Sequence, residues 1–403
     1  MSGERSSATP GAGGRARGTG EHLLLGPLMD RTQELPPQMI APLVADAVRR
    51  FGGRDPVLLL QDYGQLVLAP LHGQGMTAGE PVPIDASPAG EAFLRGVPVE
   101  EPQEDGVRVY LPLPGGGDEL GVLALTLDAV GEEDRRLLRV FCALVADLLV
   151  TKNAYTDRIF QARRLQPMSV AAEIQWSLLP PLSMTAPQVA VAGILEPAYH
   201  VAGDSFDYAL NDDLLHVATI DAMGHGLDAA TMATVAIGAY RHARRADIGL
   251  AEIYAFMDRA IAEQFGPDHF VTAQMMRLDT VSGHLQWVNA GHPVPLLIRG
   301  RRVVERLESA TTLPVGFGGE QPVISDRLLR HGDRVLCFTD GLVEERAPDG
   351  GQFGERQLID WVNRVERADS GLRTTVRMLS HVLKEERGGR TSDDATLFAI
   401  EWR

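Results

Sequence analysis

The sequence predicts an α+β protein with two folded units joined by helix. Three features carry this expectation. Of 403 residues, 44% are hydrophobic, which suits ordinary buried cores. Short apolar runs that read as strands come in groups, with amphipathic helical segments interspersed, the pattern of an α+β sandwich. Aspartates recur at the ends of those strands in the second half of the chain.

Residues 1–35 read as a disordered leader, Gly/Ser/Arg-rich at first and without apolar periodicity. The next unit, 36–130, is predicted to contain helices over Met39–Phe51 and Ser87–Arg95. Its expected strands are Leu58–Gln61, Gly64–Ala69, Val107–Leu113 and Leu120–Leu127. A helical linker, 131–178, follows. Acidic residues Glu132, Glu133 and Asp134 open it, where the helix dipole favours them. Leu137, Phe141, Leu144 and Leu148 then form a stripe that continues through Tyr155 and Ile159 to Arg164. The stripe is either a packed face or a dimerising, signal-relaying surface. Pro167 should break the helix before Val170–Leu178 resumes.

Residues 179–403 form the second unit. Strands are expected at Val189–Leu195, Leu214–Ile220, Val271–Leu278, His284–Asn289, Pro295–Arg299, Val335–Thr339 and Ala395–Trp402. Helices are expected at Leu227–Ala243, Leu250–Phe265, Glu355–Val365 and Leu372–Glu385.

Charge and composition exclude several classes. The net charge of −16 argues against a non-specific binder of nucleic acid or anionic membrane, since both need basic patches. It does not exclude phosphorylated substrates, because bound divalent metals invert the local field. No apolar run reaches the ~20 residues of a membrane span, and the N-terminus lacks the apolar core of a secretory signal. A cytoplasmic location is expected. Cys142 and Cys337 sit in apolar runs and read as buried thiols. Neither lysine, Lys152 or Lys384, follows a Gly, so no P-loop exists; GxSxG and HExxH are also absent.

What remains is the set of aspartates. Asp204 lies in VAGDSFD, Asp221 ends LLHVATID, Asp340 ends VLCFTD, and Asp393 and Asp394 precede ATLFAI. A carboxylate at a strand edge projects from a rigid element, and adjacent glycines allow close backbone approach. Several such groups converging without Cys make a hard, all-oxygen site, which suits magnesium or manganese. Singly, each has a bland reading: Asp340-Gly341 as a turn, Asp204 as a loop residue, Asp221 as a helix-entry feature, Asp393-Asp394 as surface charge.

Taken in order, these segments resemble the PPM-type serine/threonine phosphatases, in the bacterial SpoIIE-like branch acting on anti-anti-sigma factors. QWSLLPP, VAGDSFD, IDAMGHGLDAATMA, FVTAQMMRLD, VNAGHPVPLL, LPVGFG, HGDRVLCFTDGLVEER, GQFGE and SDDATLF carry the resemblance over about Ile174–Trp402. It implies an αββα sandwich of two antiparallel sheets flanked by helices, and an enzyme that hydrolyses phosphoserine or phosphothreonine. It also implies two Mn2+ or Mg2+ ions. Asp221 would bridge them, with the backbone carbonyl of Ala222 a further ligand. Asp340 and Asp393 would hold the first ion. Asp204 would serve the second, directly or through water. Asp207, Asp394 and Gly341 match positions of secondary standing. Asn289, Gly291, His292 and His225 read as structural or supporting. The chain has Ala202 where the family usually has Gly, and no Arg accompanies Asp204 to hold the phosphate.

The unit 36–130 resembles a GAF domain through SPAGEAFLRGVPVE, LPLPGGGDELGVLALTLD and EEDRRLLRVFCALVADLL. This implies a sensory domain with a small-molecule or protein signal, or a ligand-free dimerisation scaffold. The expected partners are a phosphorylated STAS-type anti-anti-sigma protein and a second copy of the chain, in sigma-factor regulation. The competing reading is a catalytically idle phosphatase-fold module that signals by partner binding.

Overall fold

The computed structural model describes residue 25 and residues 34–200, 203–310, 312–319, 321–343, 354–368, 370–386 and 394–403. The expected leader therefore lies almost wholly outside the described residues. The chain divides into two compact units. One comprises the chain up to Gln61, Val67–Gly115 and Leu120–Arg163; the other comprises Asp62–Leu66, Gly116–Glu119 and Arg164–Arg403.

The first unit is built on a six-stranded sheet. Its strands are β1 (Arg54–Gln61), β2 (Val67–Pro70), β3 (Val82–Pro83), β4 (Val99–Gln103), β5 (Gly106–Gly115) and β6 (Asp118–Leu127), ordered β3-β2-β1-β6-β5-β4. Side-chain alternation divides it into two buried faces. Leu58 and Leu60, with Leu123 and Leu125, pack against α1 (Ile40–Phe51) and α3 (Glu132–Asn153). Leu59 and Val122 point the other way and pack against Ala92 and Phe93 of α2 (Pro88–Arg95). The Ser87 hydroxyl caps α2 by accepting from Gly90 N at 3.0 Å.

The linker departs from its expected form. The helix expected to run from Glu132 to Arg164 is interrupted: α3 ends at Asn153 and α4 spans Arg158–Arg163. Leu137, Phe141 and Leu148 of the apolar stripe are buried in the core of the first unit. The stripe is thus spent on the sheet, as the packed-face reading had it. Tyr155, in the break, is exposed. Beyond Pro167, α5 (Val170–Leu178) begins where expected, with the Ser169 hydroxyl accepting from Ala172 N at 3.1 Å.

The second unit is two antiparallel sheets face to face with helices outside both. The first sheet contains β9 (Asp204–Asn211), β10 (Leu214–Ala222), β11 (Val271–Asp279), β12 (His284–Ala290) and β15 (Ser325–Leu328), in the order β15-β12-β11-β10-β9. The second contains β7 (Ser183–Thr185), β8 (Val189–Glu196), β13 (Leu296–Arg299), β14 (Arg302–Arg306), β16 (Arg334–Phe338) and β17 (Ala395–Trp402), in the order β14-β13-β16-β17-β8-β7. Between the sheets lie Val191, Phe206, Val217, Met276, Trp287, Cys337, Phe398 and their neighbours. On the outer side of the first sheet, α6 (Gly226–Arg245) and α7 (Leu250–Phe265) bury Ala233, Ile237, Ile253 and Met257. On the outer side of the second, α8 (Glu355–Val365) and α9 (Leu372–Glu386) bury Leu358, Val362, Val376 and Leu379. This is the αββα arrangement that the resemblance implied. Strand β9 went unread in the sequence, because SFDYALN is short of a continuous apolar run and Tyr208-Ala209-Leu210 breaks its alternation.

Candidate metal centre

The site forms at one end of the sandwich, where strand register brings distant carboxylates together. Asp204 opens β9 and Asp221 is the penultimate residue of β10, and the two are directly opposed across the ladder. Opposed residues of adjacent antiparallel strands have Cβ atoms roughly 4.5–5.5 Å apart, and like charges there repel. Both follow the inward alternation of Phe206 and Val217, so both carboxylates face the space between the sheets.

Asp204 is 1% exposed, and the second sheet holds its carboxylate. Thr339 Oγ1 donates to Asp204 Oδ2 at 2.6 Å and Thr396 Oγ1 donates to the same oxygen at 2.8 Å. Those threonines are themselves tied: Thr396 N donates to Thr339 Oγ1 at 2.8 Å, and Thr339 N to Thr396 O at 3.2 Å. Asp394 reaches the same corner, its Oδ2 accepting from Asp204 N at 3.4 Å.

Asp340 follows Thr339 and starts the single turn Asp340–Leu342. A Cβ on Gly341 would stand 1.9 Å from Asp394 O, so only glycine lets this turn press against the segment that carries Asp394. On the other side, Gly203 has φ +157°, and a Cβ there would meet the Ala222 carbonyl oxygen at 3.0 Å. Ala222 N donates to Gly203 O at 3.2 Å, joining the loop before Asp204 to the end of β10.

Burial, then the charge of Asp221, then that of Asp394, hold the Asp204 carboxyl well above the usual carboxylate range; the two threonine hydroxyls act in the opposite direction. Acids forced together in this way either keep a proton or share a cation. The donors are all oxygens, which fits magnesium or manganese better than zinc. Among the described residues, no three His, Cys, Asp or Glu side chains already close into one metal-ligand set. Asp393, expected to be a ligand, lies outside the described residues, as does Ala202.

The structure sets one candidate apart. Asp207, one residue along β9 from the inward-facing Phe206, has the opposite facing and turns toward α6. Its Oδ1 accepts from Arg241 Nε and Nη2 at 3.0 and 2.7 Å, and its Oδ2 from Arg244 Nη1 at 2.6 Å. Arg241 also donates to Leu178 O at 2.6 Å. Asp207 is a buried clamp between strand and helix, not a partner of Asp204.

Two histidines of the matching segments also separate. His225 is exposed at the start of α6. His292 is buried and bridges neighbours of Asp221 on β10 and β11. Its Nδ1 lies 2.9 Å from Thr272 Oγ1 and its Nε2 lies 3.3 Å from Thr219 Oγ1. Thr272 is the direct ladder partner of Asp221. Asn289 closes the turn by accepting from His292 N and donating to His292 O, both at 2.8 Å. Burial pushes the His292 imidazole down to about 3, so it stays neutral.

Sequence reasoning missed Thr339, Thr396, Thr219 and Thr272. A signal was present: Thr339 abuts Asp340, and Thr396 stands two residues after Asp394 with the parity of an inward position. Their common partner on a different sheet has no trace in local sequence.

The second unit is similar to known proteins. Residues 211–403 match the family model of stage II sporulation protein E (SpoIIE). The chain is 25% identical over 198 residues to phosphoserine phosphatase RsbP of Bacillus subtilis (strain 168), covering 47% of this chain and 48% of that one. It is 20% identical over 246 residues to phosphoserine phosphatase RsbU of the same organism, covering 61% of this chain and 72% of that one. In three dimensions it is similar to the SiaA-PP2C domain of Pseudomonas aeruginosa, with a TM-score of 0.50 and 21% identity over 58% of this chain and 94% of that one. The chain thus spans about half the length of RsbP. These similarities support a SpoIIE-type phosphatase domain of PP2C fold in the second unit. The family match begins after Asp204 and Asp207 and takes in Asp221, Asp340, Asp393 and Asp394.

Proposed function

We propose that the protein is a metal-dependent protein serine/threonine phosphatase. The single observation that carries this reading is the opposed pair Asp204 and Asp221, the first of them buried, with Asp394 beside it, in a domain of SpoIIE type. Asp221, the Ala222 carbonyl, Asp340, Asp393 and Asp204 would hold two Mn2+ or Mg2+ ions. Such ions, when bound, supply an activated water and neutralise charge on the phosphoryl oxygens.

The chain's own residues do the positioning. Thr339 and Thr396 fix the rotamer of Asp204 by bonding one of its oxygens, which leaves the other for the centre. The His292–Thr272–Thr219 set stiffens β10 and β11 beneath Asp221. The Gly341 turn sets Asp340 against the Asp394 segment. No arginine among the described residues hydrogen-bonds Asp204, so charge on the phosphate would be met by the metals.

Phosphate release from a phosphoserine peptide, with and without manganese, tests the reading. Wild type should turn over only with metal, and Asp221→Asn should lose at least a hundredfold. Equal rates in the two proteins would sink the assignment. Tight binding of a phosphoprotein without turnover would favour the idle-module reading instead.

The substrate we propose is a phosphorylated STAS-type anti-anti-sigma protein, by analogy with the phosphoserine phosphatases RsbP and RsbU. The first unit would act as a GAF-like sensory domain, a reading supported by its six-stranded sheet with helices on both faces. Association into a homodimer would use the solvent side of α3, where Val140 and Val150 remain exposed. Light scattering on the full chain at micromolar concentration decides that point. No helix among the described residues is long and apolar enough to cross a membrane, in keeping with the proposed cytoplasmic location.

A further inference from the structure

The end of the sandwich that carries the aspartates also carries an apolar rim. Met223, Leu227, Leu313 and Phe317 are between 43% and 51% exposed there, and Phe270 is partly exposed beside them. We propose that this rim seats an apolar side chain next to the phosphorylated residue of a protein substrate. The proposal rests on the phosphatase reading and deepens it, by giving the chemistry that the substrate carries around its phosphate.

Backbone pairing places the rim against the metal centre. Met223 follows Asp221 by two residues, and its N donates to Phe270 O at 3.2 Å. The rings of Phe270 and Phe317 meet, with centroids 4.8 Å apart. Val271 and Val315 exchange backbone hydrogen bonds, each at 2.9 Å. The segment 312–319 therefore runs beside the start of β11, the strand whose Thr272 is opposed to Asp221. Leu227 stands in the first turn of α6, four residues after Met223.

The rim is held in place from beneath by α7. The Tyr254 hydroxyl donates to Leu313 O at 2.9 Å. Asp258 is buried, and its Oδ1 accepts from Gly316 N at 2.7 Å and from Gly318 N at 3.2 Å. Gly316 has φ +109°, and a Cβ there would stand 2.7 Å from His269 O. The loop thus satisfies backbone groups against the helix while Leu313 and Phe317 stay in solvent. Large apolar side chains grouped on a fixed backbone mark an interaction surface, whereas scattered ones need no explanation. Aromatic rings also lose little conformational entropy on contact, which suits the Phe270–Phe317 pair to binding.

Position selects the occupant. A phosphoseryl group on metals held by Asp221 anchors its own chain beside the rim. Asp221 to Met223 is two residues, a span of ~7 Å at ~3.3 Å per residue. The two residues on either side of a phosphoserine in an extended substrate cover the same span. A small phosphate ester ends before the rim and leaves it in water. The rim side chains are hydrocarbon and thioether, so the flanking residues they take are apolar ones such as Leu, Ile, Val or Met.

Steady-state hydrolysis by the full chain in manganese tests this with two phosphoserine peptides. They are identical except for Leu or Ser at the two positions on each side of the phosphoserine. Wild type should favour the Leu peptide at least tenfold in kcat/KM, the worth of burying about one leucine side chain. Leu313→Ser/Phe317→Ser should bring that ratio near one, through a higher KM for the Leu peptide. Leu313→Met/Phe317→Met keeps the surface apolar and should keep the preference, which a merely structural role would not predict. If the serine pair unfolds by circular dichroism, Phe317→Gln replaces it with the same expectation. Equal kcat/KM for the two peptides in wild type, or a full preference in the serine pair, would overturn the rim and leave the phosphatase reading standing. Absence of manganese-dependent hydrolysis of either peptide would remove that reading and the rim with it.

Discussion

Asp204 and Asp221 are ladder partners on adjacent antiparallel strands, and the second sheet closes over the first of them through two threonine hydroxyls. Two carboxylates opposed in a buried corner oppose folding when both are ionised.

A measurable pH dependence follows in protein stripped of metal. The folded-state pKa of Asp204 is raised, while an unfolded Asp titrates near ~3.9. Between those two values the folded state holds a proton that the unfolded state has released, so this group's contribution to stability falls as pH rises through the window. Asp204→Asn keeps an oxygen for Thr339 and Thr396 and removes the charge. In EDTA its Tm should exceed that of wild type, with a larger gap at pH 7.5 than at pH 4. The same variant should lose metal-dependent turnover. A wild-type Tm above that of the variant under both conditions would refute the charge-repulsion account.

Metal should reverse that penalty. A ligand that binds only the folded state, at a hundredfold excess over its Kd, stabilises by about 2.7 kcal/mol. Manganese or magnesium should raise the wild-type Tm by several degrees and the Asp221→Asn Tm by far less, as differential scanning calorimetry would show.

Thr339→Val and Thr396→Val each remove a hydroxyl from Asp204 Oδ2 while keeping side-chain shape. Each should cost about 1.5–3 kcal/mol, the range for hydrogen bonds to charged groups. Turnover should fall with kcat affected more than KM, since the threonines position a ligand and do not touch substrate. Urea titration and steady-state kinetics read the two effects.

Gly341→Ala puts a methyl carbon 1.9 Å from Asp394 O. Backbone, not a flexible side chain, must give way. The expected cost is about 1–3 kcal/mol of overpacking, with a large loss of turnover as Asp340 and the Asp394 segment separate. Wild-type kinetics in this variant would show that the turn is tolerant.

Asp207 should behave as a structural residue. Replacing it with Ala leaves Arg241 and Arg244 facing a buried position, and breaking a buried pair costs about 3–5 kcal/mol. Manganese affinity, measured on the fraction that folds, should stay near wild type. A selective loss of metal affinity would return Asp207 to the site.

The thiols offer a further check. Cys142 and Cys337 are both buried, and burial pushes the Cys337 thiol up to about 12. A thiol reagent at pH 8 should modify neither in the native state and both in denaturant.

Much of this was legible in the chain. Periodicity located most helices and strands of both units, because a helix or a sheet that buries one face must repeat its apolar residues. The acidic strand ends marked Asp204, Asp221 and Asp340 as candidates, because a carboxylate beside glycine at a strand end is a recurrent local pattern. Other features depended on position in three dimensions. The stripe Leu137–Leu148 could have faced a second chain; it packs on its own sheet because strands β1 and β6 present a complementary apolar face. Asp207 looked like Asp204 in sequence, but a displacement of three residues along a strand reverses the facing, so one carboxylate points between the sheets and the other meets two arginines. The threonines around Asp204 come from β17 and the end of β16, more than a hundred residues away in the chain. The sequence alone determined which residue types were available and which elements would carry them. Strand register and the closure of one sheet on the other decided which of them meet, because side-chain facing and cross-sheet contact are properties of the assembled sandwich and not of any local run.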